Sequence, residues 1–252
     1  MNDNEIKSIN DTKEKVLAGL FWTFGERILA QGVSFILSII LARILLPSEY
    51  GIMAMITIFI AISNSIIDSG FSNALIRKVE IKRIDYNTAF LFNLVISFFL
   101  YIVLFFASPL IASFFEESIL VEVIRVIGFV LVINALSIIP RTIFVREVNF
   151  KTQAKVSLIS SILSGFVGIS MAIYGMGVWS LVGQQMARQL LNTVFLWTYS
   201  RWRPILEFSK SSFQEMFGFG SKLLLSGLID TIYKNIYYLI IGRFYTATQL
   251  GQ

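Results

Sequence analysis

Seven long apolar stretches, separated by short polar or charged segments, organise this chain: about 16–45, 52–76, 87–110, 119–139, 156–174, 178–199 and 218–242. Each approaches or exceeds the roughly 20 residues with which an α-helix crosses the hydrocarbon core of a bilayer. The pattern predicts an all-α polytopic membrane protein. The first run is too long for the apolar segment of a signal peptide and has no small-x-small cleavage site, so it is read as a retained span. Between the last two runs, Leu206, Phe208, Phe213 and Phe217 alternate with Lys210 and Glu215. This spacing suggests a short helix lying in the membrane interface.

The last run begins to repeat the first. Ile236 to Gly251 superposes on Ile36 to Gly51 at a shift of 200 positions, matching Ile36 with Ile236, Ile40 with Ile240, Arg43 with Arg243 and Gly51 with Gly251. Ser48 and Glu49 meet their chemical neighbours Thr248 and Gln249. Six crossings separate the copies, and an even number returns the chain to the same side. They therefore read as a parallel repeat, related by an axis along the membrane normal, as in transporters built from two similar halves. The expected units are a cytoplasmic segment at 1–15, a six-helix lobe at 16–200, a cytoplasmic loop and interfacial helix at 201–217, and the first helix of a second lobe at 218–252. The chain reads as a truncated two-lobe transporter.

Charge orients the predicted spans. Lys7, Lys13 and Lys15 precede span one; Arg77, Lys78, Lys82 and Arg83 separate two from three; Arg141, Arg146, Lys151 and Lys155 separate four from five; Arg201, Arg203, Lys210 and Lys222 separate six from seven. Fifteen of the 21 basic residues thus fall on one side. Arg43 and Arg243 fall on the other, with Glu116 and Glu117. The positive-inside rule makes the basic side cytoplasmic. Trp22, Trp197 and Trp202 then lie near inner span ends and Trp179 near an outer one, as belt aromatics do. The phenylalanines of span three read as lipid-facing or packing residues, Gly165 and Gly168 as points of close helix approach, and Gly175-Met176-Gly177 as a tight outer turn.

Composition narrows the chemistry. With 56% hydrophobic and 15% charged residues the chain is not soluble. Its excess of basic residues lies in the short loops and is explained by topology, so no nucleic-acid partner is expected. It has no Cys and no His, which removes disulfides, thiolate metal sites, most zinc sites and His-dependent catalytic triads. No metal and no cofactor are expected. No predicted cytoplasmic loop is long enough for a catalytic domain, so the chain does not read as an enzyme.

Charges inside the predicted spans need reasons, because each costs roughly 2.5–3.5 kcal/mol at the bilayer centre on insertion scales. They are Glu26, Arg27, Asp68, Glu122, Arg125, Arg188, Asp230 and Lys234. Glu122 with Arg125 and Asp230 with Lys234 have the spacing to pair along one helix. Asp68 and Arg188 have no such local partner and either bridge spans two and six or face water. Guanidinium suits an anionic cargo, since it stays protonated and donates in pairs to phosphate oxygens. Arg27, Arg188, Arg125 and Lys234 are the candidates to hold a diphosphate or acidic sugar. Asp68, Asp230 and Glu26 are the candidates for ion coupling or gating.

Several segments resemble a known family. Leu41-Ala-Arg-Ile-Leu-Leu-Pro-Ser-Glu-Tyr-Gly51 is similar to the LARLLxPxxFG segment of bacterial polysaccharide and O-antigen flippases, and Asp68-Ser-Gly-Phe-Ser-Asn-Ala-Leu-Ile76 to their DxGxxxALI segment. Pro140 to Phe150, Gly175 to Val182, Trp202-Arg-Pro204 and Leu239 to Phe244 also fit, in the family's order. This is the lipopolysaccharide-biosynthesis branch of the multidrug/oligosaccharidyl-lipid/polysaccharide exporter superfamily. The resemblance implies a flippase that carries undecaprenyl-diphosphate-linked oligosaccharide from the inner to the outer leaflet of the bacterial inner membrane. It implies alternating access of two lobes around a charged cavity, driven by an ion gradient, with no covalent step. The partners expected are the lipid-linked substrate, a coupling Na+ or H+, the phospholipid bilayer, and the polymerase and glycosyltransferases of polysaccharide assembly. Members have about twelve or more spans, against seven here, and Tyr237 stands where many carry an acidic residue. The competing readings are a cation-coupled multidrug exporter of the same superfamily and a non-transporting scaffold for polysaccharide assembly.

Overall fold

The apolar runs fold as helices because a backbone in lipid must satisfy its own hydrogen bonds, which a helix does within one segment. The structure is a computed structural model that describes residues 31–68 and 70–251. Glu26, Arg27, Trp22 and the segment 1–15 lie outside the described residues. The elements are α1 (Gln31–Ile44, its described part), α2 (Pro47–Asp68), α3 (Phe71–Arg77), α4 (Arg83–Phe115), α5 (Leu120–Ile127), α6 (Val130–Arg146), α7 (Phe150–Ile173), α8 (Val178–Tyr199), α9 (Lys210–Phe244) and α10 (Ala247–Leu250). There is no strand among the described residues. The chain is an all-α polytopic membrane protein. Four stretches are long and apolar enough to cross a membrane by length and composition: Pro47–Arg77, Arg83–Phe115, Leu120–Arg146 and Phe150–Ile173. Helices α8 and α9, with 22 and 35 residues, also have the length, but carry more polar side chains.

The centre of the bundle is α5–α6, of which 72% of the most apolar window is buried, against 28% for α4. Leu120, Val123, Ile124, Ile127, Leu131 and Ile139 are almost wholly enclosed there. Helix α4 sits at the periphery: Phe90 is buried against Trp197 and Trp202, while Phe98, Phe99 and Phe106 are exposed. Helices α7 and α8 form an antiparallel pair around Gly175 and Gly177, which take the positive φ values of 73° and 57° that glycine allows without strain. A β-carbon on Gly168 would press against Gln184, so the two helices meet closely at that point.

Side-chain ties gather the loops at two ends. At one end Arg146 donates to the carbonyl oxygens of Leu75 (2.7 Å), Lys78 (2.5 Å) and Val79 (3.0 Å), capping the end of α3. Lys78 bridges Asp85 (3.1 Å) and Glu215 (2.8 Å), and Arg83 donates to the Arg203 carbonyl. The Glu215 hydrogen bond holds the Lys78 ammonium above its ordinary range. The basic loops after α3, α6 and α8 therefore share one end. At the opposite end Arg243 pairs with Glu116 (2.6 Å), and Glu49 lies beside Gly177.

The structure departs from sequence expectation in three places. No separate interfacial helix occupies 201–217. Residues 201–209 form an irregular strap, held on α4 where Asn87 and Thr88 accept from the Ile205 and Ser209 amides, and α9 then runs unbroken from Lys210. Trp197 and Trp202 pack on one another and on Phe90, and the Trp197 indole donates to the Leu136 carbonyl. Internal packing therefore engages both rings. Finally, α6 does not stop at Pro140 but continues to Arg146.

Candidate functional site

Helices α1, α2, α6, α7 and α8 enclose a cavity of about 740 Å³. Its lining is polar because three helices each turn a stripe of polar residues inward. On α6 the stripe is Asn134 and Arg141, with Ser137 between them. On α8 it is Gln184, Gln185, Arg188, Gln189 and Asn192, and on α7 it is Gln153, Ser157, Ser160, Ser161 and Ser164. Spacings of three and four residues put each set on one helix face. Asn64 of α2 and Ser34 and Ser38 of α1 complete the polar surface.

A hydrogen-bonded chain joins α2, α6 and α8. Asn134 donates to Asn64 (2.7 Å), and Gln189 donates to the Asn134 side-chain oxygen (3.0 Å) and to Ser137 (3.4 Å). Arg141 reaches the same Ser137 hydroxyl at 3.4 Å. Arg188 makes no ion pair with a described residue, is exposed, and lines the cavity. Among the described residues no carboxylate lines the cavity, so its fixed charge is that of two arginines. By helical rise Arg141 lies about 8 Å from the end of α6 at the basic loops, and Arg188 about 17 Å from the corresponding end of α8. The two cations are thus staggered along the cavity, Arg141 nearer the basic loops and Arg188 near the middle of α8.

The other sequence candidates lie elsewhere. Arg125 does not pair with Glu122: its Nε donates to Ser108 (3.2 Å) and its guanidinium sits 4.5 Å from the centre of the Phe105 ring. Lys234 pairs with Asp230 at 2.7 Å on an exposed face of α9. Asp68 has a local partner after all. It accepts from the Ser72 hydroxyl (2.6 Å) and amide (3.2 Å), fastening the start of α3 to the end of α2, and forms no bridge to Arg188. The described cavity lining therefore contains Arg188 but not Arg125, Lys234, Asp68 or Asp230. Glu26 and Arg27 fall outside the described residues. No cluster of metal-ligating side chains occurs among the described residues.

Sequence reasoning missed Arg141 because it was counted among the basic loop residues between spans four and five. The available signal was the run Asn134, Ser137, Arg141, three polar residues at helical spacing in an otherwise apolar stretch. The same signal on α8 ran from Gln184 to Asn192.

A polar, cationic cavity inside apolar helices is suited to carrying a polar solute through lipid, and sequence comparison identifies the setting. The family described as polysaccharide biosynthesis protein matches residues 40–252. The chain belongs to that family. It is 25% identical to the teichuronic acid biosynthesis protein TuaB of Bacillus subtilis over 241 residues, covering 94% of this chain and 50% of the relative. It is 26% identical to the succinoglycan biosynthesis transport protein ExoT of Rhizobium meliloti, covering 87% of this chain and 44% of the relative. With the lipopolysaccharide biosynthesis protein WzxC of Escherichia coli the identity is 22%, over 95% of this chain and 49% of the relative. The chain spans about half the length of the curated relatives it matches. No solved structure matches it.

Proposed function

We propose that this chain forms the first lobe, and the first helix of the second, of a flippase for polysaccharide assembly. Its cargo is an oligosaccharide linked through diphosphate to undecaprenol, moved between leaflets of the bacterial inner membrane with the basic loops in the cytoplasm. The observation that carries this reading is the pairing of Arg141 and Arg188 on one cavity whose described lining has no carboxylate. The two guanidinium groups stay protonated and donate to phosphate oxygens, while the amides and hydroxyls of Asn64, Gln184, Gln185 and Asn192 suit sugar hydroxyls. Low polarisability around the site strengthens both kinds of contact relative to water. The polyprenyl tail needs no pocket, since lipid solvates it as the head group passes. No bond is made or broken.

A multidrug exporter of the same superfamily fits less well, because two fixed cations repel the cationic compounds such a protein would carry. Coupling to Na+ or H+ falls to the carboxylates Asp68, Asp230 and Glu26, as the sequence suggests. Expression in cells that lack their own flippase tests the reading. Surface polysaccharide restored by this chain, or by the chain continued into a second lobe, and lost with Arg188→Ala at normal membrane insertion is the expected result. Insertion without restoration by either form turns the reading toward a scaffold.

A further inference from the structure

Helix α8 has two faces, and only one belongs to the cavity. Trp197 follows Arg188 by about two and a half helical turns, so the two side chains leave α8 on opposite sides. On the Trp197 side lies a second hollow, an open groove of about 430 Å³ between α6 and α8, lined by Leu136, Thr193, Val194, Trp197, Thr198 and Arg203. Most of its polar groups are already engaged. Pro140 has no N–H to give the Leu136 carbonyl, and the Trp197 indole donates to it instead (2.8 Å). The Thr193 hydroxyl donates to the Ile133 carbonyl (3.1 Å), and that of Thr198 to the Phe195 carbonyl (2.8 Å). What remains for an occupant is apolar surface.

Arg203 is the exception. Its Nη1 donates to the carbonyls of Trp197 (3.1 Å), Ser200 (2.7 Å) and Trp202 (2.8 Å), which caps the end of α8. These contacts fix the guanidinium at the end of the groove nearest the basic loops, 5.9 Å from the centre of the Trp197 ring. Nε and Nη2, the edge that can grip two phosphate oxygens at once, have no hydrogen-bond partner among the described residues. Arg83 lies alongside, its Nη2 3.1 Å from the Arg203 carbonyl. No described carboxylate lines the groove.

We propose that this groove binds an anionic phospholipid of the leaflet beside the basic loops. An acyl chain lies along Leu136, Val194 and Trp197, and the phosphate sits on the free edge of Arg203. A hydrocarbon chain needs no hydrogen bonds, and this groove has none left to give except at that edge. Basic side chains at the ends of membrane helices select anionic head groups in this way, whereas two guanidinium groups repel the ammonium of a zwitterionic one. The lipid-linked cargo also joins an apolar chain to phosphate, but its head group belongs to the cavity on the opposite face of α8. The assignment needs only a membrane protein, and stands apart from the transport reading.

Native mass spectrometry of the purified chain in detergent counts bound lipid directly. Phosphatidylglycerol is titrated against phosphatidylethanolamine with the same acyl chains. One phosphatidylglycerol is expected to bind roughly fivefold more tightly, and Arg203→Gln to remove that preference. Val194→Phe fills the groove without touching the arginine and lowers the occupancy of phosphatidylglycerol as much, so it carries the test if Arg203→Gln does not fold. Arg201→Gln, at an exposed neighbour outside the groove, leaves the preference unchanged. Equal binding of the two lipids overturns the site, as does a preference that survives Val194→Phe. A loss with Arg201→Gln as large as that with Arg203→Gln overturns it too, because a diffuse basic surface then suffices. Undecaprenyl phosphate that displaces phosphatidylglycerol from the parent, but not from Val194→Phe, assigns the groove to the cargo lipid instead.

Discussion

Helices α4 and α8 both run the length of the bundle, yet their sequences answer to different surroundings. Helix α4 has 33 residues and shows Phe98, Phe99, Phe106 and Leu110 to the outside. Two of its internal polar groups, Ser97 and Ser108, are enclosed and satisfied by the carbonyls of Leu94 and Phe105, while the buried Asn93 amide has no partner among the described residues. Helix α8 places three glutamines, an asparagine and an arginine on one face, toward the cavity. An apolar helix surface is what lipid demands, so a polar stripe on a membrane helix marks the face that lipid does not see. This contrast explains why α4 passes a hydropathy criterion for spanning and α8 does not, although both are long enough.

The contrast can be broken most severely at Arg188. Arg188→Ala is expected to abolish transport, a loss of roughly a hundredfold or more given the strength of charge-assisted contacts to phosphate, with the protein still inserted; surface-polysaccharide restoration reads it. Arg141→Ala should lower transport by roughly tenfold, and Arg141→Lys should recover only part, since an ammonium does not reproduce the guanidinium fork. Asn134→Leu removes the link between Asn64 and Gln189 and should reduce transport several-fold by loosening the cavity wall. On the other side of the comparison, Phe99→Ala removes a side chain exposed on α4 and should leave transport unchanged within about twofold. A strong effect at Phe99 with none at Arg188 would reverse the assignment of the two faces.

Arg146 sharpens a separate point, the difference between a working arginine and a structural one. Its guanidinium is spent on backbone carbonyls at the end of α3, and Arg146→Ala strands those acceptors. A loss of about 1–3 kcal/mol in stability is expected, seen as a lower melting temperature in detergent, while transport per inserted molecule is retained.

Much of this was legible in the sequence. The long apolar runs mark the helices because nothing else crosses lipid so simply, and the shared end of the loops after α3, α6 and α8 agrees with their common basic charge. Arg188 was legible as a charge without a partner on its own helix. Arg141 was not, because its place in a cluster of basic residues assigned it to a loop, whereas α6 continues to Arg146. Asp68 misled in the opposite direction: its partner Ser72 lies across a helix break that only the turn at Gly70 creates, so it looked unpaired. The pairing of Asp230 with Lys234 followed from their spacing, whereas that of Glu122 with Arg125 did not form, because Ser108 and Phe105 from α4 offered Arg125 a better site. Spacing along one helix predicts a pair only where no neighbouring helix competes.

The most direct measurement is the binding of undecaprenyl diphosphate to the purified chain in lipid nanodiscs, with undecaprenol as the uncharged control. Saturable binding of the diphosphate alone, weakened by roughly tenfold or more in Arg188→Ala and in Arg141→Ala but unaffected in Phe99→Ala, is the predicted result. Equal binding of the two lipids, or diphosphate binding indifferent to both arginines, would contradict an anionic cargo held in this cavity.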